Sequence, residues 1–124
     1  MNARPQPPAG HSGVSTHILD TSAGRPAAGV PVTLSAAADG RWETVGSART
    51  DADGRCAGLP QPPAGTTHVR LVFDTGPYLQ SDRLPAGERA FFPEVTVAFA
   101  VEPGEHYHVP LLLNPFGYSV YRGS

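Results

Sequence analysis

Apolar and polar residues alternate along most of this chain, which is typical of strands that bury one face. In the clearest case, the segment 94–102, one face carries Val95, Val97, Phe99 and Val101. The same alternation predicts six further strands: 14–20, 30–35, 41–50, 66–74, 105–113 and 118–121. No window shows a sustained helical period, and only 75–84 is expected to form one or two helical turns.

Glycine and proline mark the boundaries between these segments. The chain has 14 of each, and they cluster where one predicted strand ends and the next begins. Asp-Gly pairs at 39–40 and 53–54 predict tight turns, and Asn-Pro-Phe-Gly at 114–117 predicts another. Short strands joined by such turns over about a hundred residues predict an all-β, antiparallel β-sandwich with one short helix. The stretch 1–13, rich in Pro, Ala and Gly, is predicted to be a disordered leader to one domain at 14–124.

Composition excludes several classes of function. A net charge of -2 gives no electrostatic reason to expect nucleic acid or an anionic membrane surface as a partner. The single cysteine, Cys56, cannot form an internal disulfide, and no apolar run is long enough to cross a bilayer. Neither an N-terminal signal peptide nor a C-terminal Ser-Lys-Leu address is recognised, so we expect a cytoplasmic protein.

The strand at 105–113 carries the strongest chemical signal. Period-two alternation places His106 and His108 on one face, whereas the other face is apolar or aromatic and is predicted to face the core. With His17 as a third ligand, these imidazoles could bind zinc. Alternatively, a histidine could take a proton from water while an arginine stabilises an oxyanion, which suits hydrolysis of an activated amide or lactam. The spacing leaves both alternatives open.

Motifs in a fixed order then resemble those of the 5-hydroxyisourate hydrolases, a transthyretin-like family. They are Ser-Thr-His-Ile-Leu-Asp at 15–20, Asp-Gly-Arg at 53–55, His-Tyr-His-Val-Pro-Leu-Leu-Leu at 106–113 and the closing Tyr-Arg-Gly-Ser at 121–124. The closing motif distinguishes the family from transthyretin proper. Two positions depart from the family pattern: Asn114 replaces a small hydroxyl residue and Val120 replaces Thr or Ser. Both flank the predicted site, so we expect the shape of the pocket or the reaction rate to differ from that of the family.

The resemblance implies a function and a site. The family hydrolyses the cyclic amide of 5-hydroxyisourate, the product of urate oxidase, on the route to allantoin, and uses no metal or other cofactor. The catalytic residues that carry over are His17, Arg55 and His108, and His106 is the less favoured histidine. The residues implied to bind substrate are Tyr121, Arg122, Gly123 and Ser124. The implied assembly is a homotetramer, a dimer of transthyretin-like dimers, with active sites in the channel between dimers.

Two other functions stay open. One is a transthyretin-like carrier of a small aromatic ligand, which would bind without hydrolysis. The other is a β-sandwich interaction module, in which His17, Arg55 and His108 would be inert surface residues. An assay of 5-hydroxyisourate decay distinguishes both from the enzyme.

Overall fold

The computed structural model describes residue 7 and residues 10–124. This part of the chain contains eight strands and one helix. In order, they are β1 (Gly13–Asp20), β2 (Arg25–Pro26), β3 (Pro31–Ala38), β4 (Arg41–Arg49), β5 (His68–Phe73), α1 (Gly76–Asp82), β6 (Val95–Ala100), β7 (His106–Asn114) and β8 (Gly117–Val120). Each strand predicted from the sequence is present, within a few residues at its ends, and β2 was not predicted. In this part of the chain, no helix has the length and apolarity that a membrane span requires.

The strands form two four-stranded sheets, in the orders β2-β1-β7-β8 and β4-β3-β5-β6. Together with the single short helix, they confirm the predicted all-β sandwich. One pairing departs from an antiparallel arrangement: β1 and β7 run parallel, from Gly13 opposite His106 to Asp20 opposite Leu113. These two strands lie near opposite ends of the chain, so a long connection can return β7 in the same direction as β1.

The core lies between the sheets and is filled mainly by alternate residues of β1, β3, β5 and β7. Ile18, Leu71, Phe73 and Leu111 have no exposed surface. Full burial of such a side chain contributes about 1.5–3 kcal/mol relative to its exposure. The predicted inward face of β7 is confirmed, because Tyr107 and the alternate residues after it pack in this core. The outer face of the β1–β7 pair is therefore left to the intervening residues, which include the histidines.

Two predicted turns close hairpins. Asp39 and Gly40 join β3 to β4 with φ values of 55° and 76°. Positive φ at both central residues is the geometry of a type I′ turn, which favours an Asp-Gly pair. Pro115 and Phe116 join β7 to β8, and the N–H of Phe116 donates a hydrogen bond to Asn114 Oδ1 at 2.9 Å.

A buried carboxylate ties β1 to α1. Asp20 is 1% exposed; its Oδ1 accepts hydrogen bonds from the N–H groups of Ser22 and Ala23 and from the Ser22 hydroxyl. Its Oδ2 accepts from the Tyr78 hydroxyl and from Arg83 Nε. Burial alone would raise the pKa of Asp20, but the hydrogen bonds from Ser22, Tyr78 and Arg83 outweigh it and hold the pKa far below its usual range.

Residues just before Val14, the predicted first residue of the domain, also contact the sandwich. Gly13 already belongs to β1, and the N–H of Gly104 donates a hydrogen bond to the carbonyl of His11. The His11 ring is half-buried, with Nδ1 3.0 Å from the Pro62 carbonyl oxygen. Of the predicted leader, residues 1–6 and 8–9 lie outside the described part of the chain.

Candidate active site

The outer face of β1 and β7 carries alternating polar side chains from both strands. In the parallel register, Ser15 lies opposite His108 and His17 lies opposite Pro110. Ser15 and His17 share a face because they are two residues apart on one strand. The His17 ring is fixed at its outer end, where Nε2 lies 2.9 Å from the carbonyl oxygen of Asp53.

The turn 51–55 presents Arg55 at the edge of this face. Asp51 Oδ1 accepts hydrogen bonds from the N–H groups of Asp53 and Arg55, which organise the turn. The N–H of Gly54 donates to the Asp51 carbonyl at 2.9 Å, and Gly54 has a φ of 76°. The predicted Asp-Gly turn is therefore confirmed, and the positive φ at Gly54 favours glycine.

Gly54 also allows the turn to approach β1 closely. The N–H of Ile18 donates to the Gly54 carbonyl at 2.8 Å, and a Cβ added at Gly54 would lie 2.4 Å from the Ile18 carbonyl oxygen. As a result, Arg55 pairs with His17 in an isolated antiparallel bridge. The Arg55 side chain is exposed. Two residues far apart in sequence, an imidazole and a guanidinium, are thereby placed side by side.

His108 is buried, at 8% exposure, and is linked to a second histidine. Its Nδ1 lies 2.8 Å from Ser15 Oγ, and the same oxygen lies 2.9 Å from His106 Nε2. The predicted placement of both histidines on one face is confirmed. The sequence motifs alone assign no role to Ser15, and the one signal that they carry is that Ser15 shares a strand face with His17.

The segment after β8 covers His108. The N–H of Gly123 donates to the His108 carbonyl at 2.7 Å, and the two residues form an antiparallel bridge. A Cβ at Gly123 would lie 2.8 Å from His108 Cδ2 and 3.3 Å from Pro110. Only glycine therefore fits against the ring in this position. Tyr121 and Ser124, which flank this contact in the chain, are both exposed.

Arg122 is directed to the other side of the sheet. Its guanidinium lies over the Tyr107 ring, 4.6 Å from the centroid, and 3.8 Å from Glu105 Oε2. There it lines a cleft of about 180 Å³ with Val97 and Phe99. The single chain thus gathers His17, Arg55, His108 and Gly123 on one face, but it does not bring Arg122 to that face.

Among the described residues, neither a thiol nucleophile nor a set of metal ligands lies near this face. Burial, with a contribution from Asp51, raises the pKa of the Cys56 thiol to about 11, so the thiol is protonated at neutral pH. Across residue 7 and residues 10–124, no group of three or more His, Cys, Asp or Glu side chains is arranged to hold a metal ion. The described arrangement is suited to proton transfer and to stabilisation of an anion.

Two four-stranded sheets, with imidazole and guanidinium groups on the outer face of one of them, define a transthyretin-like β-sandwich. A model of the HIUase/Transthyretin family matches residues 14–123, and the chain belongs to this family. The resemblance found in the sequence motifs is therefore confirmed.

Individual relatives agree with this assignment. A 5-hydroxyisourate hydrolase from Salmonella dublin is 45% identical over 118 residues, which cover 94% of this chain and 84% of the relative. The structure of Klebsiella pneumoniae 5-hydroxyisourate hydrolase matches with a TM-score of 0.70 at 38% identity, covering 91% of this chain and 94% of that one. Transthyretin from Sparus aurata matches with a TM-score of 0.76 at 34% identity, covering 89% of this chain and 95% of that one.

Proposed function

We propose that this protein is an enzyme that hydrolyses the cyclic amide of 5-hydroxyisourate in the degradation of urate. The observation that carries the proposal is the convergence of His17, Arg55 and His108 on one face of the β1–β7 pair. The identity of the substrate is inferred from the relatives, which are named 5-hydroxyisourate hydrolases. A cyclic amide needs an activated water and a group that stabilises an oxyanion, and this face carries residues of both types.

In the proposed reaction, His108 takes a proton from water. Its Nδ1 is engaged by Ser15, so Nε2 is the nitrogen that acts as base. The hydroxide adds to the amide carbonyl carbon, and the guanidinium of Arg55 stabilises the negative charge that develops on the carbonyl oxygen. His17, beside Arg55 and bonded to Asp53 through Nε2, orients the water or the substrate. Collapse of the adduct breaks the C–N bond, and the ring nitrogen receives the proton that His108 took from water. We propose no metal and no other cofactor for these steps.

The closing residues form the wall of the proposed site. Gly123 packs against His108, and the exposed residues Tyr121 and Ser124 offer hydroxyl groups next to it in the chain. Arg122 can contribute only if its side chain leaves Tyr107. That movement costs little, because its ion pair with Glu105 is long and the Arg122 side chain is 64% exposed.

Association into a tetramer would complete the site. The face that carries the histidines points away from the core, so a single chain leaves one side of it open. Strands β6 and β8 end their sheets and offer unpaired edges. Aromatic side chains nearby are exposed, Phe91 by 73%, Phe116 by 79% and Tyr118 by 41%. These edges and apolar side chains support a homotetramer of two dimers.

The expected compartment stays the cytoplasm, since the chain contains only one cysteine.

The decisive experiment follows the decay of 5-hydroxyisourate. The substrate is generated with urate oxidase, and its ultraviolet absorbance is recorded with and without the protein. The expected result is a decay rate that exceeds the spontaneous rate and rises in proportion to protein concentration. A decay rate that stays at the spontaneous value would overturn the proposal. If calorimetry then showed tight binding of a small aromatic ligand, the transthyretin-like carrier would replace it.

A further inference from the structure

Ser15 lies between the two histidines of β7. The distances from Ser15 Oγ to His108 Nδ1 and to His106 Nε2, 2.8 Å and 2.9 Å, are both those of hydrogen bonds. The side chain is half-buried in the outer face of β1. One hydroxyl group on β1 therefore joins two imidazoles on the neighbouring strand.

Two glycines fix the positions of these rings. A Cβ at Gly13 would lie 2.7 Å from His106 Nδ1, and a Cβ at Gly123 would lie 2.8 Å from His108 Cδ2. Each ring thus occupies space that only glycine leaves open, and each meets Ser15 from its own side. The contact is held by the backbone on both flanks, so the three side chains form a pre-organised unit.

We propose that Ser15 is a positioning residue that couples His106 to His108, so that the three side chains act as one proton relay. The inference rests on the proposed hydrolysis, in which His108 is the base. It assigns a function to two residues, Ser15 and His106, that the proposed catalytic set leaves out.

The hydrogen count of the hydroxyl requires this coupling. A serine hydroxyl has one hydrogen to donate, so Ser15 can donate to one neutral ring and must accept from the other. In one arrangement, His108 donates Nδ1–H to Ser15 and Ser15 donates to His106 Nε2. In the other arrangement, His106 donates Nε2–H to Ser15 and Ser15 donates to His108 Nδ1. Both neutral rings therefore carry their hydrogen on the same kind of nitrogen, Nδ1 in the first arrangement and Nε2 in the second.

The role of His108 as base selects the first arrangement. Only there does His108 Nε2 hold a lone pair that can take a proton from water. The second arrangement places a hydrogen on that nitrogen, so the ring could only donate. Ser15 therefore sets the tautomer on which the base depends, as the partner of the other ring nitrogen commonly does.

The relay balances through both halves of the reaction. As the O–H bond of water breaks, its proton goes to His108 Nε2, the Nδ1 proton of His108 passes to Ser15 Oγ, and the Ser15 proton passes to His106 Nε2. The positive charge then resides on His106, and the hydroxide forms the bond to the carbonyl carbon. When the C–N bond breaks, the same steps run in reverse, and His108 Nε2–H delivers the proton to the departing nitrogen. One water is consumed and no net proton is taken up.

Nitrogen NMR tests the coupling without any assay of activity. In labelled protein at about pH 8.5, about two units above the ordinary pKa of histidine, both rings are expected to show the Nδ1–H tautomer in long-range nitrogen–proton spectra. Ser15→Ala should change the nitrogen shifts of His106 and His108 and leave those of His68 on β5 unchanged. Different tautomers on the two rings, or unchanged shifts in Ser15→Ala, would overturn the relay.

Kinetics test whether the coupling serves the reaction. Ser15→Ala should lower kcat by about 10- to 100-fold, which is part of the whole general-base contribution. Ser15→Thr keeps the hydroxyl and should restore kcat to within about 3-fold. Ser47→Ala, on exposed β4, is the matched serine control and should match the unaltered protein. Unchanged turnover in Ser15→Ala, with an active parent protein, contradicts the relay alone. An inactive parent protein contradicts the proposed function instead.

A last variant separates a relay from simple orientation. His106→Gln can still accept the Ser15 hydroxyl hydrogen but cannot take up a proton. We expect its kcat to fall about 10-fold while circular dichroism stays unchanged. Turnover at the level of the unaltered protein would show that His106 takes up no proton, and the relay would be rejected.

Discussion

Two polar clusters on β1 face opposite sides of the same sheet. On the core side, Asp20 accepts hydrogen bonds from Ser22, Ala23, Tyr78 and Arg83 and lies against a cation. On the outer side, Ser15 joins two imidazoles through a neutral hydroxyl. Both clusters are held by hydrogen bonds, but only the second contains groups that can exchange protons near neutral pH.

The two clusters differ in whether their groups can gain or lose a proton near neutral pH. The pKa of Asp20 lies far below neutral, and the pKa of Tyr78 is raised by burial and by its hydrogen bond to Asp20. Neither group changes its charge between about pH 5 and pH 8, so this cluster can only stabilise the fold. Histidines linked by a hydroxyl can exchange protons at little cost, so the outer cluster is suited to catalysis. A saturated polar cluster indicates structure, and one with mobile protons indicates chemistry.

The largest effect is expected from removing the base on the outer side. His108→Asn should lower the rate of 5-hydroxyisourate decay by about 10²- to 10⁴-fold, because no group at that position can then take the proton from water. The measurement is steady-state decay of ultraviolet absorbance, with sedimentation to check the assembly. His68→Asn, an exposed histidine on the other sheet, is the control and should keep full activity. Normal turnover in His108→Asn would contradict the assigned role.

A comparable loss, in stability instead of rate, is expected on the core side. Asp20→Ala should lower the free energy of unfolding by about 2–3 kcal/mol at pH 7, because the donors around this buried carboxylate lose their charged acceptor. The exposed carboxylate of Asp74 is the control, and Asp74→Ala should change stability by about 0.5 kcal/mol or less. Urea denaturation measures both variants.

The pH dependence sharpens the same test. The pKa of Asp20 is lower in the folded protein than in the unfolded chain, so its contribution is complete above the unfolded pKa of about 3.9 and is lost as pH falls below it. The stability difference between the unaltered protein and Asp20→Ala should therefore narrow between pH 7 and about pH 3. If the difference in the free energy of unfolding between the two proteins stays constant or widens on acidification, the carboxylate of Asp20 is not stabilising.

The smallest effect is expected where the closing segment packs on the outer cluster. Gly123→Ala should slow turnover by about 10-fold, because its Cβ would displace the His108 ring or the segment that covers it. Stability should change little, since the segment lies at the edge of the sheet. Gly58→Ala is the control, because its Cβ would lie at an ordinary 3.4 Å from Ala48. Equal activity of the two variants would show that the close approach has no role in turnover.

Local patterns predicted most of the fold. The strands β5, β6 and β7 follow the alternation of their apolar residues, and the turn at Asp39 and Gly40 follows from the backbone freedom that Asp-Gly provides. The two-residue β2 is too short to leave a period in the sequence. The interior position of Asp20 could not be predicted, because its partners Tyr78 and Arg83 are brought to it by α1.

The sequence predicted which residues belong to the candidate site, but it did not predict all of the contacts between them. The motifs indicated His17, Arg55 and His108, and the structure places all three on one face. The link through Ser15 could not be predicted, since it requires the parallel register of β1 and β7. The direction of Arg122 could not be predicted either, because it depends on the ring of Tyr107 behind the sheet.

The sequence by itself determined which segments are strands, where the chain turns and which ionisable groups are present. These are local properties, set by the period of side chains along a strand and by the φ angles that glycine permits. Only the tertiary structure decided which groups meet: Ser15 with two histidines, Arg55 with His17, and Arg122 with Tyr107. Those contacts depend on strand order and register, which are fixed when apolar faces from distant parts of the chain pack into one core. No local pattern in the sequence encodes that packing.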